Sequence, residues 1–299
     1  MDIIEKIREI ASQKNAVILA HNYQPEEIQK AAHHTGDSLE LSRIAAESDA
    51  DIIVFCGVYF MAESAYILSP QKKIIIPEPD AGCPMADMAD PERINEFRAK
   101  YPGAKVVCYI NSTAAAKAVS DVCCTSSNAV KIISSIDADR IIFIPDKNLG
   151  SYVAESTDKE IILWDGYCPI HNARSVDELL AAKSEHGDAE VLMHPECPKE
   201  LRDLADRILS TGEMVSYCRD NKGKKFIIAT ENGMIYKLKS EAPENEYIQV
   251  TTDFICPDMK KITLEKLYNS LINEEPSVTV DPEIADKAYS SLDKMLKMS

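Results

Sequence analysis

The chain has 299 residues, of which 45% are hydrophobic and 27% charged, a composition typical of a soluble protein with two or three domains. Its net charge of −16 disfavours nucleic acids and anionic membranes as partners, although helix N-termini still allow an anionic small molecule to bind. The first residues form a charged amphipathic pattern rather than a signal peptide, and no apolar run approaches the roughly 18 residues of a membrane span, so we expect a cytoplasmic protein.

The first part of the chain alternates between helical and strand-like patterns. Amphipathic spacing predicts helices over 2–13, 25–32 and 60–68, and apolar runs predict buried strands over 16–20, 51–55 and 73–77. Thr35-Gly36-Asp37-Ser38 predicts the start of another helix, which ends at Glu47. A loop that contains Cys83 follows the last of these strands.

The same order of elements occurs twice more. The second copy is predicted to contain helices over 91–101 and 148–155 and strands over 105–110, 141–144 and 160–164. The third copy is predicted to contain helices over 175–186 and 233–239 and strands over 189–193, 225–229 and 247–250. Polar turns at 125–128 and 210–212 correspond to the turn at 35–38, and two final helices are predicted over 263–271 and 282–298.

Alternating helices and apolar strands of these lengths indicate parallel sheets that are covered by helices on both faces. We therefore predict three homologous α/β/α sandwich domains in a pseudo-threefold arrangement. The predicted boundaries are 1–88, 89–173 and 174–299, and the last of these domains includes the C-terminal helices. Ligands of such sheets bind at the carboxyl ends of the strands.

One cysteine recurs in each copy, in a loop where it precedes a proline. Cys83, Cys168 and Cys256 are separated by 85 and 88 residues, so they occupy equivalent positions. Nine cysteines, an odd number, in a cytoplasmic chain favour metal ligation, reactive thiols or buried apolar thiols over disulfides. Burial in the core would explain any one of these cysteines as well as metal binding would. The threefold period, however, favours one shared metal site for Cys83, Cys168 and Cys256.

Three thiolates at one point fit either an iron–sulfur cluster or a zinc ion. Structural zinc sites usually use local pairs such as CxxC, which this chain lacks, so a 4Fe-4S cluster with one open iron fits better. Such an iron can act as a Lewis acid on a hydroxyl or carboxylate. The other six cysteines are predicted to be buried apolar residues, except that Cys197 is a candidate for the cavity wall because it follows His194 closely.

Polar side chains stand at or just past the carboxyl end of the first strand of each copy. They are His21, Tyr23, Tyr109, Asn111, His194 and Glu196. This set suits proton transfer and the binding of an oxygen-rich substrate, although a single histidine is more often structural. His171 follows Cys168 by three residues and is a candidate to face the cluster or the substrate.

Ser38, Ser126 and Thr211 are predicted to be N-caps at matching positions. Capping alone would explain them, because serine and threonine are preferred caps. Three helix N-termini directed at one axis would also form a site for phosphate or carboxylate. Lys147 and Lys260 are the basic residues that adjoin the repeat loops. Both can equally be interpreted as solvated surface charges.

Several strings between 16 and 261 resemble quinolinate synthases. They include AHNYQ, TGDSLELS, GVYFMAES, CPMADM, YINSTAAAKA, PDKNLGSYVA, HPECP and TENGMIYKLK. The resemblance implies three α/β domains around a 4Fe-4S cluster that is held by Cys83, Cys168 and Cys256. It also implies condensation of iminoaspartate with dihydroxyacetone phosphate to quinolinate, with loss of phosphate and two waters, in NAD synthesis. An iminoaspartate-producing enzyme would then be a functional partner.

The resemblance also implies roles for single residues. His21, Tyr23, His194 and Glu196 would form the acid–base group, and Tyr109 and Asn111 would contact the substrate. Carboxylates or phosphate would be held by Ser38, Ser126, Ser210 and Thr211. We also predict that the substrate contacts His21, His171, His194 and Glu196. The alternatives are a zinc-dependent hydrolase or lyase with a three-thiolate site and a non-enzymatic iron–sulfur sensor.

Overall fold

A computed structural model describes residues 2–299, so Met1 lies outside it. The first sheet contains β1 (Ala16–His21), β2 (His34–Gly36), β3 (Ile52–Cys56) and β4 (Lys73–Ile75). Its helices are α1 (Ile3–Gln13), α2 (Glu26–Ala31), α3 (Ser38–Glu47), α4 (Tyr59–Leu68) and α5 (Pro84–Asp87). The predicted buried strands form because their apolar runs lie between helices, and every residue of β3 is buried.

The second and third parts of the chain repeat this order. The second has α6 (Pro91–Lys100), β5 (Lys105–Tyr109), α7 (Ala114–Ala118), β6 (Val122–Cys124), α8 (Ala129–Ser135), β7 (Arg140–Ile144), α9 (Lys147–Ala154), β8 (Glu160–Leu163) and α10 (Pro169–Asn172). The third has α11 (Val176–Glu185), β9 (Glu190–Met193), α12 (Lys199–Arg202), β10 (Arg207–Ile208), α13 (Thr211–Asp220), β11 (Lys225–Ala229), α14 (Met234–Glu241), β12 (Glu246–Gln249) and a 3-10 turn (Asp258–Lys260). The chain ends with α15 (Leu264–Asn273) and α16 (Pro282–Met298).

All three sheets are parallel and have the same strand order. These orders are β2-β1-β3-β4, β6-β5-β7-β8 and β10-β9-β11-β12. The first strand of each copy thus lies between the second and the third, where the direction of winding reverses. Ligands of open parallel sheets bind at the carboxyl end of this switch point. The predicted α/β architecture of three repeated parallel sheets is confirmed.

Side-chain packing joins the first sheet to the third, and the C-terminal helices pack against other elements. One hydrophobic cluster contains Leu19 and Phe55 of the first sheet together with Leu192 and Phe226 of the third. The C-terminal helices pack elsewhere, since α15 lies against α1 and α16 lies against α7 and β6. None of the helices within 2–299 is long and apolar enough to cross a membrane.

Candidate active site

A cavity of about 260 Å³ lies where the three sheets meet. All the predicted site residues except Ser210 line it, namely His21, Tyr23, Ser38, Cys83, Tyr109, Asn111, Ser126, Cys168, His171, His194, Glu196, Thr211 and Cys256. Ser210 instead caps α13, because its hydroxyl accepts a hydrogen bond from Glu213 N at 3.3 Å. The structure therefore brings together residues from all three copies.

The strand ends explain why these side chains meet. His21 ends β1, Tyr109 ends β5, and His194 directly follows β9, so the three occupy the same position in their sheets. Two residues further on in each copy stand Tyr23, Asn111 and Glu196. The repeated fold thus places two rings of functional side chains around one cavity.

Both strand-end histidines are held by the backbone two residues later. His21 Nδ1 accepts from Tyr23 N at 3.1 Å, and His194 Nδ1 accepts from Glu196 N at 3.3 Å. Burial lowers the pKa of His21 to about 3 and that of His194 to about 4. Each ring is therefore neutral near pH 7 with its proton on Nε2.

Glu196 accepts hydrogen bonds from side chains of the second copy of the repeat. Tyr109 donates its hydroxyl to Oε1 at 2.7 Å, and the Asn111 amide lies 3.4 Å from the same oxygen. His171 Nδ1 lies 2.9 Å from Oε2. Burial alone would raise the pKa of Glu196, but the rings of His171 and His194 and the hydrogen bonds from His171 and Tyr109 outweigh it and lower the pKa. The side chain is therefore a carboxylate.

Thr230 connects Tyr23 to this carboxylate, and sequence reasoning missed it. Its hydroxyl lies 2.6 Å from Tyr23 Oη and 2.9 Å from His171 Nε2, and the residue is fully buried. Hydrogen bonds therefore run without a break from Tyr23 through Thr230 and His171 to Glu196. Burial and the charge of Glu196 raise the pKa of Tyr23, so its hydroxyl keeps its proton.

The three repeat cysteines lie at the starts of short helical turns. Cys83 and Cys168 are the N-cap residues of α5 and α10, and Cys256 precedes the 3-10 turn. Burial raises the pKa of all three thiols, that of Cys83 to about 12, so the thiolate form requires a bound cation. Three sulfurs on one cavity fit an iron–sulfur cluster.

A second set of possible ligands shares one of these cysteines. Ligand atoms of Cys168, His171 and Glu196 lie within 4.8 Å of one another. This set offers sulfur, nitrogen and oxygen, which suits zinc. Because both sets use Cys168, a single chain can use only one of them at a time.

The expected N-caps were wrong by one residue at two positions and wrong altogether at Ser126. Asp37 caps α3 because its carboxylate accepts from two backbone N–H groups, and Ser210 caps α13. Ser38 and Thr211 are the first helical residues instead. Ser126 stands two residues before Asn128, the N-cap of α8. Each hydroxyl still lines the cavity.

An internal carboxylate lies between two of the three helix N-termini. Asp37 caps α3, and a Cβ atom at Gly212 in the first turn of α13 would lie 2.7 Å from Asp37 Oδ2. A side chain at position 212 would therefore displace the Asp37 carboxylate. Asp37 thus occupies the N-terminus of α3 and lies close to that of α13, which leaves less room for a substrate anion at these two N-termini than the sequence suggested.

The structure also places Cys197, Lys147 and Lys260, which the sequence had left as candidates near the site. Cys197 does not line the cavity, because it is buried against Leu179 and Leu201 in the core of the third sheet. Lys147 is a surface residue, whose ammonium pairs with Asp165 at 2.9 Å. Lys260 is not a free surface charge, because its side chain is only 28% exposed and its ammonium pairs at 2.8 Å with the buried Glu231.

The fold and the cavity together define an α/β enzyme in which three repeated sheets surround thiols and an acid–base set. A family model described as quinolinate synthetase A protein matches residues 5–297. The quinolinate synthase of Dehalococcoides mccartyi (strain ATCC BAA-2266) is 50% identical over 297 residues, 99% of this chain and 98% of the relative. Those of Pelobacter propionicus and Clostridium acetobutylicum are each 51% identical over 98% of this chain and 97% of the relative. The chain therefore belongs to the quinolinate synthetase A family.

Proposed function

We propose that the protein condenses iminoaspartate with dihydroxyacetone phosphate to form quinolinate, with release of phosphate and two waters, in cytoplasmic NAD synthesis. One observation carries the proposal: in a member of this family, three thiols line the same cavity as Tyr23, His171 and Glu196, which buried hydrogen bonds connect. An enzyme that produces iminoaspartate would supply the first substrate.

Cys83, Cys168 and Cys256 would hold a 4Fe-4S cluster. When bound, the cluster would supply a Lewis-acidic iron without a protein ligand, which assists the loss of a hydroxyl group. The position of all three cysteines on one cavity, each at or next to the start of a short helical turn, supports this assignment.

Glu196 is the proposed base. Its carboxylate is unprotonated at neutral pH and faces the cavity, and it is held by Tyr109 and His171. If the substrate displaces one of these hydrogen bonds, the pKa of Glu196 rises toward that of a more effective base. A proton removed from the substrate would then be accepted at an oxygen of Glu196.

Tyr23 is the proposed proton shuttle. Its hydroxyl is protonated and joined to Glu196 through Thr230 and His171, so it can donate at one end of the cavity while a proton is accepted at the other. The Nε2–H groups of His21 and His194 would donate hydrogen bonds to substrate oxygens. This leaves the imidazole rings as neutral donors rather than charged ones.

The substrate anions would be held by hydroxyl and amide groups of the wall. Ser38, Ser126 and Thr211 supply the hydroxyls, and Asn111 supplies an amide. The Thr211 oxygen accepts a hydrogen bond from Asn22 Nδ2 at 3.2 Å, which leaves its own hydrogen free to point to a ligand.

Anaerobic purification, followed by iron, sulfide and zinc analysis and a quinolinate assay, tests the proposal. We expect about four irons and four sulfides per chain, lost in Cys83→Ala, and quinolinate formation that depends on them. One zinc without sulfide would overturn the proposal and favour a zinc-dependent hydrolase or lyase. A cluster without any quinolinate formation would instead favour an iron–sulfur sensor.

A further inference from the structure

The loop after the third strand contacts the cysteine loop in the same way in every copy. The backbone N–H groups of Tyr59, Lys147 and Asn232 donate to the carbonyls of Ala81, Gly166 and Phe254, each at 2.8 Å. Each acceptor stands two residues before its cysteine. The three donors are therefore equivalent, and so are the residues that precede them, Val58, Asp146 and Glu231.

Two of these three preceding residues bond to the amide of a cluster cysteine. Asp146 Oδ2 accepts from Cys168 N at 3.0 Å, and Glu231 Oε1 accepts from Cys256 N at 3.1 Å. Both carboxylates are fully buried. Val58 has no acceptor to offer, so the first copy lacks this bond to Cys83.

The remaining contacts hold each carboxylate in place. Asp146 Oδ1 accepts from Leu149 N at 2.7 Å and caps α9. Glu231 Oε2 accepts from Gly233 N at 2.7 Å, and Lys260 pairs with its Oε1 at 2.8 Å. Lys260 also donates to the carbonyl of Tyr23, which ties the third copy to the strand end of the first.

Burial of a carboxylate is costly, and capping a helix does not require it to face a cysteine. We propose that Asp146 and Glu231 are positioning residues, which fix the Cys168 and Cys256 loops so that their sulfurs meet one cluster. This inference rests on the proposed cluster. It makes the three ligands unequal, because Cys83 is the one without a carboxylate behind its loop.

The experiment compares Asp146→Asn and Glu231→Gln with Asp281→Asn in the full-length, cluster-loaded protein. Each carboxylate accepts hydrogen bonds from two backbone N–H groups, one at each oxygen. An amide side chain has only one oxygen, so in each variant its NH₂ group would face one of these N–H donors. Asp281 caps α16 through Glu283 N and Ile284 N, away from the cysteines, and is the control for a lost cap charge.

Two quantities are measured: the rate at which excess iron chelator bleaches the cluster absorbance, and the reduction potential of the cluster. We expect both site variants to release the cluster about tenfold faster, because one accepted hydrogen bond is lost and a buried N–H donor is left without its acceptor. Glu231→Gln should also raise the reduction potential, because the charge of Lys260 is left uncompensated. Glu231→Asp keeps a carboxylate and should restore part of the wild-type behaviour.

Release at the wild-type rate in both site variants would overturn the inference, as would equally fast release in Asp281→Asn. An unchanged potential in Glu231→Gln would overturn it for that residue. If Asp146→Asn does not fold, as judged by circular dichroism, Glu231→Gln decides. A wild-type protein without iron and sulfide would refute the proposed function rather than this inference.

Discussion

Thr230→Val is expected to interrupt the proton path while leaving the shape of the cavity wall intact. Valine has nearly the same volume as threonine, but it removes the hydroxyl that lies 2.6 Å from Tyr23 and 2.9 Å from His171. Each buried group left without its partner costs about 1–3 kcal/mol. Because proton transfer by a positioned side chain contributes at least about a hundredfold, we expect turnover to fall by about that factor.

The assay is quinolinate formation under anaerobic conditions, with turnover expressed per cluster from the visible absorbance. Thr230→Ser is the matched control, since it keeps the hydroxyl and removes only a methyl group. We expect it to retain most of the activity and the wild-type cluster content. Turnover of Thr230→Val within about twofold of wild type, less than about 0.5 kcal/mol in the barrier, would refute the path through Thr230.

Glu196→Gln should lower turnover by about a hundredfold or more, because an amide cannot accept the proton; near-normal turnover would disprove its role as base. Cys168→Ala should abolish the cluster absorbance, whereas Cys197→Ala, outside the cavity, should keep it; a retained spectrum in Cys168→Ala would remove Cys168 from the ligand set. Below pH 6.5 the histidines of the unfolded chain become protonated, whereas the buried rings of His21 and His194 stay neutral in the folded protein. The free energy of unfolding should therefore decrease as the pH is lowered, by about 2 kcal/mol per ring at pH 5. Urea unfolding of wild type and His21→Asn at pH 5 and 7 checks this, and an equal loss of stability in both proteins would contradict it.

The long elements were predictable because local chemistry alone determines them. The C-terminal helix was predicted with its observed bounds, since Asp281 caps it and Pro282 stands at its first position. Strand β11 also matched, because its apolar run is bounded by polar residues. By contrast, β2, β6 and β10 have only two or three residues each, too few to form an alternating or apolar pattern. Their existence follows from pairing with a central strand.

The site residues at the ends of the first strands could be predicted from the sequence. Those that other segments bring to the site through folding could not. Thr230 follows a third strand, whereas the predicted polar groups follow first strands, so only the tertiary structure reveals its contacts with Tyr23 and His171. Cys197 failed for a related reason: it is close to His194 in sequence, but the chain turns after the strand and directs its side chain into the core. Asp37 and Ser38 are both good caps, and only the backbone geometry selects Asp37.

The charges around the cavity explain why neutral histidines are useful there as hydrogen-bond donors. The chain is acidic, and among residues 2–299 no lysine or arginine lines the cavity, although the proposed substrates are anions. In the proposed reaction, anion binding would therefore come from neutral donors and from the proposed cluster. Burial keeps His21 and His194 neutral, and the backbone bonds to Nδ1 leave each with one N–H group for a ligand. A protonated His194 ring would pair with Glu196, whose Oε2 lies 3.8 Å from its Nδ1. The low pKa of His194 therefore keeps this ring available for the substrate.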